Sequence, residues 1–66
     1  MSIYRCYFHD KHGVTDKWQA IYGENETEAR LTALDVLRER NHVHKLEVWQ
    51  NGLRIFELER ESLNAD

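Results

Sequence analysis

The sequence predicts an α+β fold of order β-β-α-β-β: a four-stranded, mostly antiparallel sheet with one helix on one face. Three observations carry this. Two β-rich runs, 45–50 and 53–58, flank Asn51-Gly52, and Asn-Gly supplies the two positive-φ residues that a type I′ hairpin turn needs. Ala29, Ala33, Val36 and Leu37 recur at helical spacing behind Asn25, a good N-cap. Two aromatic-rich runs, 3–8 and 17–22, are separated by a polar stretch containing Gly13.

In the first strand, side chains alternate across the sheet, so Tyr4, Cys6 and Phe8 share one face and Ile3, Arg5 and Tyr7 the other. The first set carries no charge and is assigned to the core. Residues 9–16 form a polar hairpin loop. In the second strand the same reasoning turns Trp18, Ala20 and Tyr22 inward and Lys17, Gln19 and Ile21 outward.

Gly23-Glu24-Asn25 then opens a helix over about 26–40. Glu28, three residues after Asn25, completes a reciprocal cap. Glu24, Glu26 and Glu28 sit at the positive end of the helix dipole, and Arg38 and Arg40 at the negative end. The alanines of the inward stripe let helix and sheet approach closely, while Leu31 falls nearly opposite and is expected in solvent.

The last hairpin has two candidate registers. A two-residue loop pairs Trp49 with Arg54, Glu47 with Phe56 and Lys45 with Leu58 on one face. A three-residue loop with a bulge puts Phe56 and Leu58 beside Leu46 and leaves Trp49, Leu53 and Ile55 outside. Either way, one helix cannot cover both faces of four apolar strands. Trp49, Arg54, Phe56, Leu58, Tyr7, Ile3 and Ile21 are the expected interaction face. Tryptophan, tyrosine and arginine are the residues most enriched at the energetic centres of protein interfaces.

Size gives a reason for such a face. The chain has 66 residues, read as a single domain over 1–58 with an acidic, frayed tail over 59–66. Folding at this length buries only about 60% of the unfolded surface, so small domains add disulfides, metals or subunits. Cys6 is the only cysteine and cannot close an intramolecular disulfide, which points to a reducing cytoplasm. No apolar run approaches the ~18 residues of a membrane span, and the first residues do not begin a signal peptide.

The formal net charge is −3, and basic groups are not gathered around the aromatics, so direct nucleic-acid binding is not expected. Residues 1–23 hold three basic and two acidic groups; residues 24–66 hold six and ten. Glu57, Glu59 and Glu61 alternate along the last strand and its extension. Their two readings are an acidic strip that imitates a phosphate backbone and a solvated edge that discourages strand-to-strand aggregation.

The topology brings the first loop and the helix-to-strand connection to one end of the sheet. His9 and His12 should therefore approach His42 and His44 there, with Asp10 and Asp16 nearby. Imidazoles with a carboxylate are Zn²⁺-type ligands, but these spacings match no zinc motif and solvated loop histidines are the simpler reading. No cofactor is expected. No serine or cysteine nucleophile stands beside a base, and no glycine-rich phosphate loop occurs, so no catalytic residue is assigned.

Ile3-Tyr4-Arg5, Glu28-Ala29, and Glu47-Val48-Trp49 before Gly52-Leu53-Arg54-Ile55 together resemble short β-β-α-β-β proteins of bacteria and their phages. The resemblance spans most of residues 3–58. It implies the fold and the setting, and carries no activity or site residue across. The expected function is a non-catalytic interaction module, homodimeric through the helix-free sheet face. The alternatives are an inhibitor or regulator that docks on a larger host protein or nucleic-acid-processing complex, and a histidine-rich metal binder.

Overall fold

The computed structural model describes residues 1–61, apart from the Asp16 side chain. The elements are β1 (Ser2–His9), β2 (Thr15–Gly23), α1 (Glu26–Glu39), β3 (Lys45–Gln50) and β4 (Leu53–Glu59). The strands form one antiparallel sheet in the order β2-β1-β3-β4, with α1 on one face. The core lies between them: Tyr4, Cys6, Phe8, Ile21, Leu46, Val48 and Phe56 from the sheet, Ala29, Ala33, Val36 and Leu37 from the helix, and Val43 from the turn after it.

The helix follows its end signals closely. Asn25 adopts an extended conformation and its side chain accepts the Glu28 N–H at 3.0 Å. The Glu28 carboxylate accepts the Glu24 N–H at 2.8 Å, one residue outside the cap, so two otherwise orphaned donors are satisfied. Gly23 is buried against the start of α1, where a Cβ would lie 2.9 Å from the Ala29 backbone nitrogen. Leu31 is exposed, as its position opposite the stripe requires.

Two expectations are overturned by strand pairing. Tyr4 pairs with Ile21, and directly opposed residues share a face, so Ile21 joins the core and is not part of the open face. Trp18 and Tyr22, assigned inward by alternation, are 53% and 54% exposed on the opposite side. The parity of β2 is fixed by Gly23, which must lie flush under the helix and therefore carries Ile21 inward with it.

The last hairpin combines parts of both candidate registers. Asn51 (φ 54°) and Gly52 (φ 78°) make a two-residue turn, with Gln50 opposite Leu53 and Trp49 opposite Arg54. Ile55 is then an extra residue, so Val48 faces Phe56 and Leu46 faces Leu58. This β-bulge returns Phe56 and Leu58 to the helix side. Phe56 is core and half-buried Leu58 packs against it, so neither belongs to the open face.

β4 runs to Glu59, one residue into the stretch read as tail. The Arg60 N–H bonds the His44 carbonyl at 2.8 Å. Its guanidinium donates to the carbonyls of Val43, Leu37 and Arg40, capping the C-terminal end of α1. The rest of the expected tail, from Ser62 onward, lies outside the described residues.

Candidate interaction face

The helix-free side of the sheet presents Trp18, Ala20 and Tyr22 from β2, and Ile3, Arg5, Tyr7 and His9 from β1. Lys45, Glu47 and Trp49 from β3 and Arg54, Glu57 and Glu59 from β4 complete it. At its centre three aromatic rings cross three strands. Tyr7 lies between Trp18, at 6.5 Å between ring centroids, and Trp49, at 6.2 Å with the planes nearly perpendicular. Both distances fall in the range of favourable aromatic pairs. The Arg5 guanidinium sits 4.8 Å over the Trp18 ring, a cation–π contact that holds the outermost indole against the sheet.

A charged network borders this row. The Trp49 indole N–H donates to Glu47 Oε1 at 3.1 Å, and the Arg54 guanidinium lies 3.3 Å from a carboxylate oxygen of both Glu47 and Glu57. Lys45 Nζ approaches Glu57 at 3.8 Å. Burial pushes the Glu47 carboxyl up, but the Trp49 N–H, Arg54 and nearby His9 outweigh it and hold the group below the usual carboxylate range. Glu47 is therefore an anion that fixes the Trp49 ring.

Two hollows flank the Tyr7–Trp49 contact. One, of about 380 Å³, is lined by Ile3, Arg5, Tyr7, Trp49 and the 50–52 turn. The other, of about 300 Å³, is lined by Tyr7, His9, Thr15, Glu47 and Trp49. Arg5, Lys45 and Arg54 are matched in number by Glu47, Glu57 and Glu59, so the face carries no basic field of the kind that tracks a nucleic-acid backbone.

No protein-family model, curated protein or solved structure matches this chain. The site is accordingly read from its own geometry. Of the seven residues expected on the face, Trp49, Arg54, Tyr7 and Ile3 are there; Ile21, Phe56 and Leu58 are on the helix side. Trp18, Tyr22, Arg5, His9 and Glu47 complete it and were not among those seven. Continuing the alternation of β1 by one residue would have found His9, whereas Trp18 and Tyr22 follow from the β1–β2 register.

At the end of the sheet, His12, His42 and His44 do converge with Asp10, Lys11 and Arg60 around a hollow of about 400 Å³. His9 departs from them and turns to Glu47 on the open face. The Asp10 carboxylate accepts the backbone N–H groups of Val14 and His12, which hold it below its ordinary range and fix the loop. Among the described residues no three histidine, cysteine or acidic side chains are arranged to hold a metal ion.

Cys6 lies fully buried beneath the sheet, and burial pushes its thiol up to about 11. A neutral, enclosed thiol packs as a small apolar side chain.

Proposed function

We propose that this chain is a non-catalytic protein–protein interaction module that self-associates through the helix-free face of its sheet. The observation that carries the reading is the Trp18–Tyr7–Trp49 row, which spans three strands on the side that α1 leaves uncovered. Ile3 (61% exposed) and Tyr22 (54%) extend it. Aromatic anchors beside arginines, with a charged rim, are what interface centres are made of.

Area supports a second copy as the occupant. Four strands about 4.8 Å apart and about seven residues long give a plan area of roughly 400 Å². Side-chain relief raises the accessible area above that, toward the ~800 Å² per partner of a standard interface. Sheet-on-sheet packing at ~10 Å is the ordinary way for two such faces to meet. The acidic-strip alternative is weaker, because Glu57 is already engaged by Arg54 and Lys45.

Light scattering coupled to size exclusion tests this. The parent chain should elute as a dimer, and Trp18→Ala, which removes an exposed ring and no core contact, should be a folded monomer. A parent that is monomeric at about 100 μM would shift the face to a heterologous partner, and a Trp18→Ala protein that remains dimeric would remove the face from self-association.

A further inference from the structure

Among the described side chains, His9 Nε2 is the one buried polar atom without a hydrogen-bond partner. The other ring nitrogen, Nδ1, lies 2.9 Å from Thr15 Oγ1. Nε2 faces Glu47 Oε1 at 3.6 Å, beyond hydrogen-bond length, and that same oxygen accepts the Trp49 indole N–H. In the Nδ1–H tautomer Nε2 turns its lone pair toward a carboxylate; in the Nε2–H tautomer it offers that carboxylate a neutral N–H across 3.6 Å while Nδ1 accepts from Thr15 Oγ1. A protonated ring presents N–H groups to both Thr15 and Glu47, and reaching a bond of about 3.0 Å asks for only a small side-chain movement.

We infer that His9 is a proton-operated latch beneath the open face: taking up a proton closes the gap to Glu47 and re-shares the oxygen that holds Trp49. The groups around it are Asp10, just past the end of β1, and Thr15 on β2. From β3 come Lys45, opposite His9 in the register, and Glu47; behind them stand Arg54, Glu57 and Glu59 of β4. His44 contributes only its backbone N–H, to the His9 carbonyl. Lys45 opposes an imidazolium but is drawn to Glu57, and Arg54 is shared between Glu47 and Glu57. With Asp10 and Glu59 the named groups come to four carboxylates against two cations, a net negative surround that favours the added proton. Histidine is the side chain that changes charge in the physiological range, and here the change is delivered to an anchor of the proposed interface.

The latch is a property of one chain and does not depend on self-association, so Trp18→Ala, the intended monomer, serves as the test protein beside the parent. Nuclear magnetic resonance between about pH 5 and 8.5 would follow the His9 ring and the Trp49 indole N–H together. The indole resonance should shift with the His9 midpoint, lose that shift in His9→Asn, and keep it in Thr15→Val, where the Glu47 contact survives. An indole signal that stays fixed while His9 titrates, a His9 ring that does not titrate in this range, or a shift that persists in His9→Asn overturns the latch. Any of these can occur with the dimer intact, which separates the two claims.

Discussion

The Trp49 indole N–H and the Glu47 carboxylate, two residues apart on the same face of β3, are bonded at 3.1 Å. Glu47 also takes Arg54, so one carboxylate orients an aromatic anchor and a cation from the neighbouring strand. Removing it in Glu47→Ala orphans the Trp49 N–H and leaves Arg54 with Glu57 alone. The expected cost is about 1–2 kcal/mol, more than a surface ion pair contributes, because the Glu47–Trp49 bond is partly buried. Chemical denaturation of the variant beside the parent measures it.

The same carboxylate sets an acid limit on stability. Its folded pKa is depressed below the ordinary value of 4.5. The stability it contributes is therefore complete above that value and is lost as pH falls through the folded one. Denaturation midpoints measured from pH 6 down to about 2 should show a decline below about pH 4.5 that Glu47→Gln flattens.

Cys6 sets an alkaline limit by the opposite sign. Its thiol is raised from 9.0 to about 11, so the neutral form is favoured by folding. That contribution is whole below pH 9 and disappears between about 9 and about 11. Two pKa units correspond to roughly 2–3 kcal/mol. Cys6→Ala, somewhat less stable at neutral pH for its lost sulfur, should lack this alkaline step. A thiol reagent at pH 7.5 should modify the native parent only at its rate of opening.

The bulge at Ile55 decides what β4 buries. Deleting Ile55 would remove only the extra residue: Trp49 stays opposite Arg54 and Val48 opposite Phe56, so Phe56 and Leu58 remain on the helix side. The deletion should therefore keep a cooperative unfolding transition in urea. Phe56→Ala, at a site 8% exposed, should cost about 3–4 kcal/mol, whereas Ile3→Ala should change the monomer by less than about 0.5 kcal/mol.

That bulge also marks where the sequence stops being readable. The turn residues, the Asn25 cap, the Ala29–Ala33–Val36–Leu37 stripe and the inward face of β1 each follow from local chemistry. They are legible because a dihedral, a cap or a periodicity lies within a few residues of its cause. The parity of β2 and the extra residue in β4 are settled across the sheet instead. Trp18 is larger than Ile21, so burial by size alone favours Trp18; the pairing of Ile21 with Tyr4 and the close approach at Gly23 reverse it. The open face inherits this. Its β1 and β3 members were readable from alternation, whereas its β2 members needed the register.

Arg60 shows the same dependence on distant partners. It falls in a stretch whose composition reads as a solvated acidic tail, yet its guanidinium reaches three carbonyls around the end of α1: those of Val43 at 2.8 Å, Leu37 and Arg40. The Leu37 and Arg40 carbonyls lie at the helix end, where internal partners run out, and the Val43 carbonyl lies in the turn beyond; one side chain bonds all three while its backbone N–H ties β4 to His44. A chain ending at residue 58 should therefore lose about 2–3 kcal/mol, as several acceptors near the core edge lose their donor. Arg60→Ala should account for most of that loss. Arg60→Lys should restore little of it, because a single ammonium cannot span three carbonyls that a planar fork reaches together. A truncated chain as stable as the full one, measured by thermal and urea unfolding, would instead place the end of the domain where composition alone puts it, at residue 58.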